Sequence, residues 1–147
     1  MTGAAVRLLA KTQRQTDGCL WWTGVIDSSG YGRVGYRRVR GVPAYRAVYT
    51  ELVGEIPAGL TLDHLCHTRD ADCSGGHRCL HRRCVEPTHL EPVTAAENAS
   101  RSVFARRTHC PAGHPYDETN TEVRNRRRFC LACRQIRNRR PRTSSAA

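Results

Sequence analysis

Apolar positions along this chain are sparse, and their spacing changes from segment to segment. Ala5, Val6, Leu8 and Leu9 suffice for one or two turns of amphipathic helix within residues 1–15. Across residues 16–42, turn signals at Asp17-Gly18, Ser29-Gly30 and Arg40-Gly41 separate short runs of Trp, Val, Ile and Tyr, a pattern that predicts a β-meander. Trp21, Trp22, Tyr31 and Tyr36 would form its small core, because aromatic rings carry most of the burial in small sheets. Ala44, Ala47, Val48 and Leu52 then recur at helical intervals over 44–53, with Gly54 as the stop.

Gly54-Glu55-Ile56-Pro57 turns the chain into an apolar run, Leu60, Leu62 and Leu65, that reads as a strand. After a long polar loop, a second extended run centres on Cys84 and Val85, with His89-Leu90 in the segment leading onward. Thr94-Ala95-Ala96-Glu97 is a capping box, so a helix is expected from Thr94 through Asn98 towards Phe104, and Pro92 prevents it from extending backwards. The order is strand, long loop, strand, helix, in an α+β fold.

Chemistry concentrates in the same region. Asp63-His64 places a hard-metal ligand beside an imidazole that can take a proton near neutral pH. Strand alternation sends these two side chains to opposite faces, so both can serve one site only at a strand end or a distortion. The intervening loop holds Cys66, Cys73, Cys79 and Cys84, with His67, His77 and His81 between them. Four thiolates there fit one tetrahedral structural zinc, and a site in which His67 or His81 replaces Cys73 stays open. Cys110-Pro-Ala-Gly-His114 and Cys130-Leu-Ala-Cys133 form a second ligand set, two knuckles separated by a hairpin-length insert. Cys19 stands alone before Trp21 and is expected to be a small buried hydrophobe.

Composition sharpens the choice of partner. The chain of 147 residues carries a formal net charge of +11, and of its 24 basic residues only Lys11 is lysine. A base-composition bias is one explanation for arginine in place of lysine, with phosphate binding the other, but it does not explain the excess of positive charge. Arginine's planar fork suits phosphate oxygens, which favours a nucleic acid. Arg33, Arg37 and Arg38 cluster in the meander, and Arg124, Arg126, Arg127, Arg128, Arg134 and Arg137 surround the second cysteine knuckle; these are the candidate DNA-binding residues. No apolar run is long enough to span a membrane and the N-terminus lacks the core of a secretion signal, so a cytoplasmic location is expected. Eight cysteines in that setting read as metal sites before disulfides.

Asp-His, then His-Leu, then Glu-Asn at the start of a helix resembles the HNH, or His-Me finger, endonucleases of the phage-encoded and homing type. The interval agrees, since Asn98 follows His89 by nine residues. The Trp, Gly-Tyr-Gly, short-helix and Ile-Pro approach to Asp63 is similar as well. The resemblance covers residues 16–105 and implies a ββα-metal core in which Asp63 and Asn98 hold a catalytic Mg²⁺ or other divalent ion and His64 activates water. His89 stands where relatives carry a bracing Asn; it could brace the loop, touch the scissile phosphate or add a metal ligand. The expected substrate is double-stranded DNA, with about two structural Zn²⁺ ions. The expected divisions are an extension at 1–15, a nuclease domain at 16–106, a basic zinc module at 107–142 and a disordered tail at 143–147. A non-catalytic, zinc-dependent nucleic-acid-binding protein that keeps this fold is the second reading.

Overall fold

The computed structural model describes residues 1–125 and 127–139; Arg126 and the tail expected to be disordered at 143–147 lie outside the described residues. The chain divides into two units, Met1–Ala105 and Arg106–Ala147.

In the first unit, helix α1 (Gly3–Leu9) opens where the Thr2 hydroxyl accepts the Ala5 amide at 3.0 Å. It buries Ala5 and Leu8 against helix α2 (Ala44–Leu52), whose Ala44, Ala47 and Val48 line the facing stripe. The meander is not continuous. Strand β1 (Thr12–Arg14) pairs with β2 (Leu20–Trp22), and β3 (Arg33–Tyr36) with β4 (Val39–Pro43), as two separate antiparallel ribbons. Between them Asp27 accepts the amides of Ser29 and Tyr31 and draws the chain into a turn. Side-chain bonds of this kind compete with strand pairing, which is why no ladder joins β2 to β3. Trp22 is the centre of the main core, with Leu8, Ala44, Ala47, Val48 and Val85. Gly32 lets the backbone pass its ring, since a Cβ there would lie 2.6 Å from the indole.

Strand β5 (Leu60–His64) pairs antiparallel with β6 (Leu90–Thr94), in a register that sets His64 opposite Leu90 and Leu62 opposite Pro92. The second strand is therefore Leu90–Thr94 and not the run around Cys84 and Val85, where Cys84 makes only an isolated bridge to Trp21. Pro92 is tolerated inside β6 because a two-stranded ribbon needs only one edge of each strand. Tyr49, Leu62 and Leu90 form the small core that fastens this ribbon to α2. A short helix, α3 (Leu65–Arg69), follows β5 directly, and 3-10 turns occupy Leu80–Arg83 and Pro87–His89.

Helix α4 (Ala95–Ser100) follows β6. The Thr94 hydroxyl accepts the Glu97 amide at 3.1 Å, but the Glu97 carboxylate does not close the capping box; it pairs with Arg101 at 2.5 Å. The helix ends short of Phe104, because Ser102 caps a separate turn, α5 (Val103–Arg106), by accepting the Ala105 amide.

The second unit contains a hairpin, β7 (Thr121–Arg124) with β8 (Arg127–Cys130), and helix α6 (Leu131–Arg139). Its buried residues, among those described, are Cys110 and Cys130. No helix among the described residues is long and apolar enough to cross a membrane.

Candidate functional site

The distortion that the alternation of β5 requires is present at its end. His64 leaves the strand to open α3 at φ −93° and ψ 95°, and both Asp63 and His64 line one cavity of about 240 Å³. Asn98 from α4, Arg101 just beyond it, and Arg82 from the first 3-10 turn complete its polar wall. Asp63 and His64 are the buried polar side chains of the described structure, 6% and 8% exposed. His64 Nε2 lies 3.1 Å from the Cys84 carbonyl oxygen. A carbonyl only accepts, so Nε2 carries the proton and Nδ1 keeps the lone pair of the neutral ring. Burial pushes the His64 pKa down to about 4, which keeps the ring neutral at physiological pH. The Tyr45 ring meets it edge-on at 4.9 Å.

Asp63 and Asn98 together offer oxygen donors, the chemistry a hard divalent ion prefers. Asp63 is also 3.2 Å from Arg101 Nη1, and Arg101 bonds Glu91 and Glu97 as well, so a cation already stands among three carboxylates. Glu86 lies outside this group: its carboxylate pairs with Arg14 at 2.5 Å.

His89 does not line the cavity. The 3-10 turn Pro87–His89 directs its ring to a cysteine cluster, with Nδ1 3.6 Å from both Cys19 Sγ and Cys84 Sγ, and Cys66 as the fourth member. A separate group brings His67, Cys73, Cys79 and His81 together: His67 Nδ1 is 3.2 Å from Cys73 Sγ, Cys79 Sγ is 3.4 Å from Cys73 Sγ and 3.5 Å from His81 Nδ1. The edges of a tetrahedral zinc site with mixed sulfur and nitrogen ligands are about 3.4–3.8 Å, so both groups fit that ion. The four loop cysteines thus do not form one site. Cys66 and Cys84 belong to one centre, Cys73 and Cys79 to another, because the turn of α3 sends the adjacent residues Cys66 and His67 in different directions.

Cys19 is accordingly not a mere hydrophobe. It is fully buried among potential ligands, and burial pushes its thiol up to about 12, while the Cys66 thiol bonded to Cys84 pulls Cys84 down to about 5. The sequence carried one signal of this: with three of the eight cysteines in the C-terminal set, five remain, one more than a single four-thiolate site can use.

In the second unit the structure brings Cys110, His114, Cys130 and Cys133 within ligating reach, with His114 Nδ1 3.2 Å from Cys133 Sγ and 3.5 Å from Cys110 Sγ. Against the upward push of burial, the Cys133 amide and the Asn120 side chain bond the Cys130 sulfur and hold its pKa near about 6. Three Cys/His centres can therefore hold zinc, where about two ions were expected.

Several candidate DNA-binding arginines already have acidic partners. Arg33 pairs with Asp27 at 2.7 Å, Arg37 with Glu55 at 2.5 Å, and Arg124 and Arg134 share Glu122. Arg38 occupies the tip of the β3–β4 turn in the left-handed region, at φ 66°. Arg127 lies on β8, Arg128 on the same strand stacks on Tyr116 at 4.5 Å, and Arg137 lies on α6. Solvent screens surface pairs of this kind and leaves them weak, so a phosphate can exchange for the carboxylate.

No family model matches the chain, and no solved structure matches it. Over 87 residues, 58% of its length, the chain is 31% identical to Protein 7.7 of Escherichia phage T7. The match covers 55% of that protein, so the chain spans about half the length of the curated phage relative it resembles.

Proposed function

We propose that the protein is a metal-dependent DNA endonuclease of the HNH type, with structural zinc at its three Cys/His centres. The observation that carries this reading is the convergence of Asp63, His64 and Asn98 on one cavity, with the His64 tautomer set by the Cys84 carbonyl. Asp63 and Asn98 would hold a divalent ion such as Mg²⁺, which when bound supplies charge stabilisation at the scissile phosphate. His64 Nδ1 accepts the proton of the attacking water, and the buried Nε2–H bond to Cys84 keeps the ring oriented while it does so. Because burial holds the ring neutral, this base stays competent on acidification from pH 8 to 6. Arginines on both units attract the DNA backbone, consistent with the net charge of +11. The similarity to a phage protein suits a phage-encoded enzyme acting in the host cytoplasm.

One observation favours the second reading, a zinc-dependent nucleic-acid-binding protein without turnover: Arg101 is paired with the carboxylate that should hold the ion. Supercoiled plasmid incubated with and without Mg²⁺ separates the two. The enzyme nicks or linearises it, and His64→Ala lowers that rate ~10²-fold or more with unchanged zinc content. A protein that binds the plasmid tightly and leaves it supercoiled is the binder.

A further inference from the structure

We infer that the His67, Cys73, Cys79 and His81 centre is a positioning site: it binds zinc and thereby holds Arg82 on the cavity wall, where the guanidinium takes an oxygen of the substrate phosphate. The inference rests on the nuclease reading above and assigns this centre a part in it.

Two of the four potential ligands, His67 and Cys79, line the cavity themselves. Arg82 follows the ligand His81 directly and lines the same cavity. The two arginines there differ in one respect. Arg101 is matched by three carboxylates, whereas Arg82 forms no ion pair with a carboxylate among the described residues. Its Nη1 donates to the Ser29 carbonyl at 2.7 Å, and its guanidinium lies 4.9 Å over the Tyr31 ring. One of five donors is thus committed to a carbonyl and the plane is fixed by stacking, which leaves donors in the geometry that suits a phosphate. Tyr31 in turn lies 6.2 Å from the His64 ring, so the cation and the base belong to one aromatic-walled site.

Apolar packing cannot hold this arrangement. Between Cys66 and Cys84, Cys79 is the buried residue, and Leu80 on the same turn is 44% exposed. The loop is instead fastened by ligation and by one backbone approach. Gly30, at φ +88°, passes so close to His77 that a Cβ would lie 2.5 Å from its carbonyl oxygen. That approach brings the Ser29 carbonyl within reach of Arg82. Remove the zinc, and the loop before Arg82 keeps only the Gly30 approach, while the buried Cys84 anchors the chain two residues beyond it.

Two measurements test this. The first is binding of a short labelled DNA duplex over a salt series without added divalent ion. Arg82→Ala should reduce the slope of log affinity against log salt by about one unit, the mark of one lost phosphate contact. Cys73→Ser, which removes a ligand that does not line the cavity, should release one zinc and lose the same unit of slope. The second is turnover with Mg²⁺. Arg82→Ala should lower kcat/KM ~10²-fold, and Arg82→Lys should recover part of it. Cys73→Ser should fall to the level of Arg82→Ala, and the double variant no lower, because the two act as one unit. An unchanged salt slope in Arg82→Ala overturns the inference, as does a Cys73→Ser protein that has lost its zinc yet keeps wild-type slope and kcat/KM. Arg82→Ala alters no ligand and no buried residue, so it remains readable if Cys73→Ser opens the loop widely. Absence of turnover in the wild-type protein counts against the nuclease reading alone, since the salt slope still decides Arg82.

Discussion

The two units are held together in different ways. The first has an apolar core around Trp22, a second around Leu62 and Leu90, and two Cys/His centres between its segments. The second has no such core among its described residues: what it buries is Cys110 and Cys130, two of its own four potential ligands. Zinc at the centres of the first unit would be a staple added to packing, and in the second unit it would stand in place of packing. Small modules cannot bury enough apolar surface to offset chain entropy, and a zinc shell supplies the missing free energy. Within the first unit the contrast repeats on a smaller scale, because the Cys19 centre forms a buried cluster of its own with Trp21 packed against it, whereas the Cys73 centre lies in a polar loop.

This comparison can be broken most decisively in the second unit. Cys133→Ser should release one zinc and unfold the whole module, so that amide protection over residues 106–139 falls to that of an open chain while the first unit keeps its own. Protection surviving there would mean that apolar contacts carry the fold. Trp22→Ala is the counterpart in the first unit. It should cost ~3–5 kcal/mol in denaturant unfolding, and zinc measured in the folded fraction should stay at the wild-type level. Equal loss of zinc and stability would show that core and staple are a single element.

Acid distinguishes the units further. The folded pKa of His64 is held near about 4 by burial, below its ordinary value of 6.5, so the neutral ring is favoured by folding. Its contribution is present above about 6.5 and is lost as pH falls through about 4, a change of ~3 kcal/mol confined to the first unit. His64→Gln keeps a donor for the Cys84 carbonyl and removes the titration. Between pH 7 and 4 the wild type should therefore lose ~3 kcal/mol relative to His64→Gln; parallel curves would place the acid sensitivity elsewhere, in the zinc ligands. The smallest effect is local. Thr94→Ala removes the cap of α4 and should cost about 1 kcal/mol in thermal unfolding, with the effect confined to the first unit.

How much of this was legible depended on distance along the chain. The Cys110, His114, Cys130 and Cys133 set is visible in sequence because each knuckle is local, so spacing alone implies convergence. Helix α2 and the start of α4 are visible for a similar reason: their apolar period and the Thr94 cap act within a few residues. The partition of the loop cysteines was not visible. Cys19 reaches its centre across more than forty residues, and which of Cys66 or His67 joins it depends on a single short helix. The strand partner of Leu60–His64 was misplaced for a related reason, since Cys84 and Val85 have strand-like composition but are drawn into a cluster and a core.

By itself the sequence determined the chemical inventory of this protein: a basic, arginine-rich chain with enough cysteine and histidine for metal centres and an acid-imidazole pair ahead of a capped helix. It also determined the apolar stripe of α2 and the Thr94 start of α4, which short-range periodicity and capping control. Only the tertiary structure decided which potential ligands lie within reach of one ion, that His89 joins a cysteine cluster and not the cavity, and that the Cys84 carbonyl selects the tautomer of His64. The physical reason is that metal coordination and buried hydrogen bonds are set by distances of about 3 Å between residues tens of positions apart, and no pattern in one dimension fixes such distances.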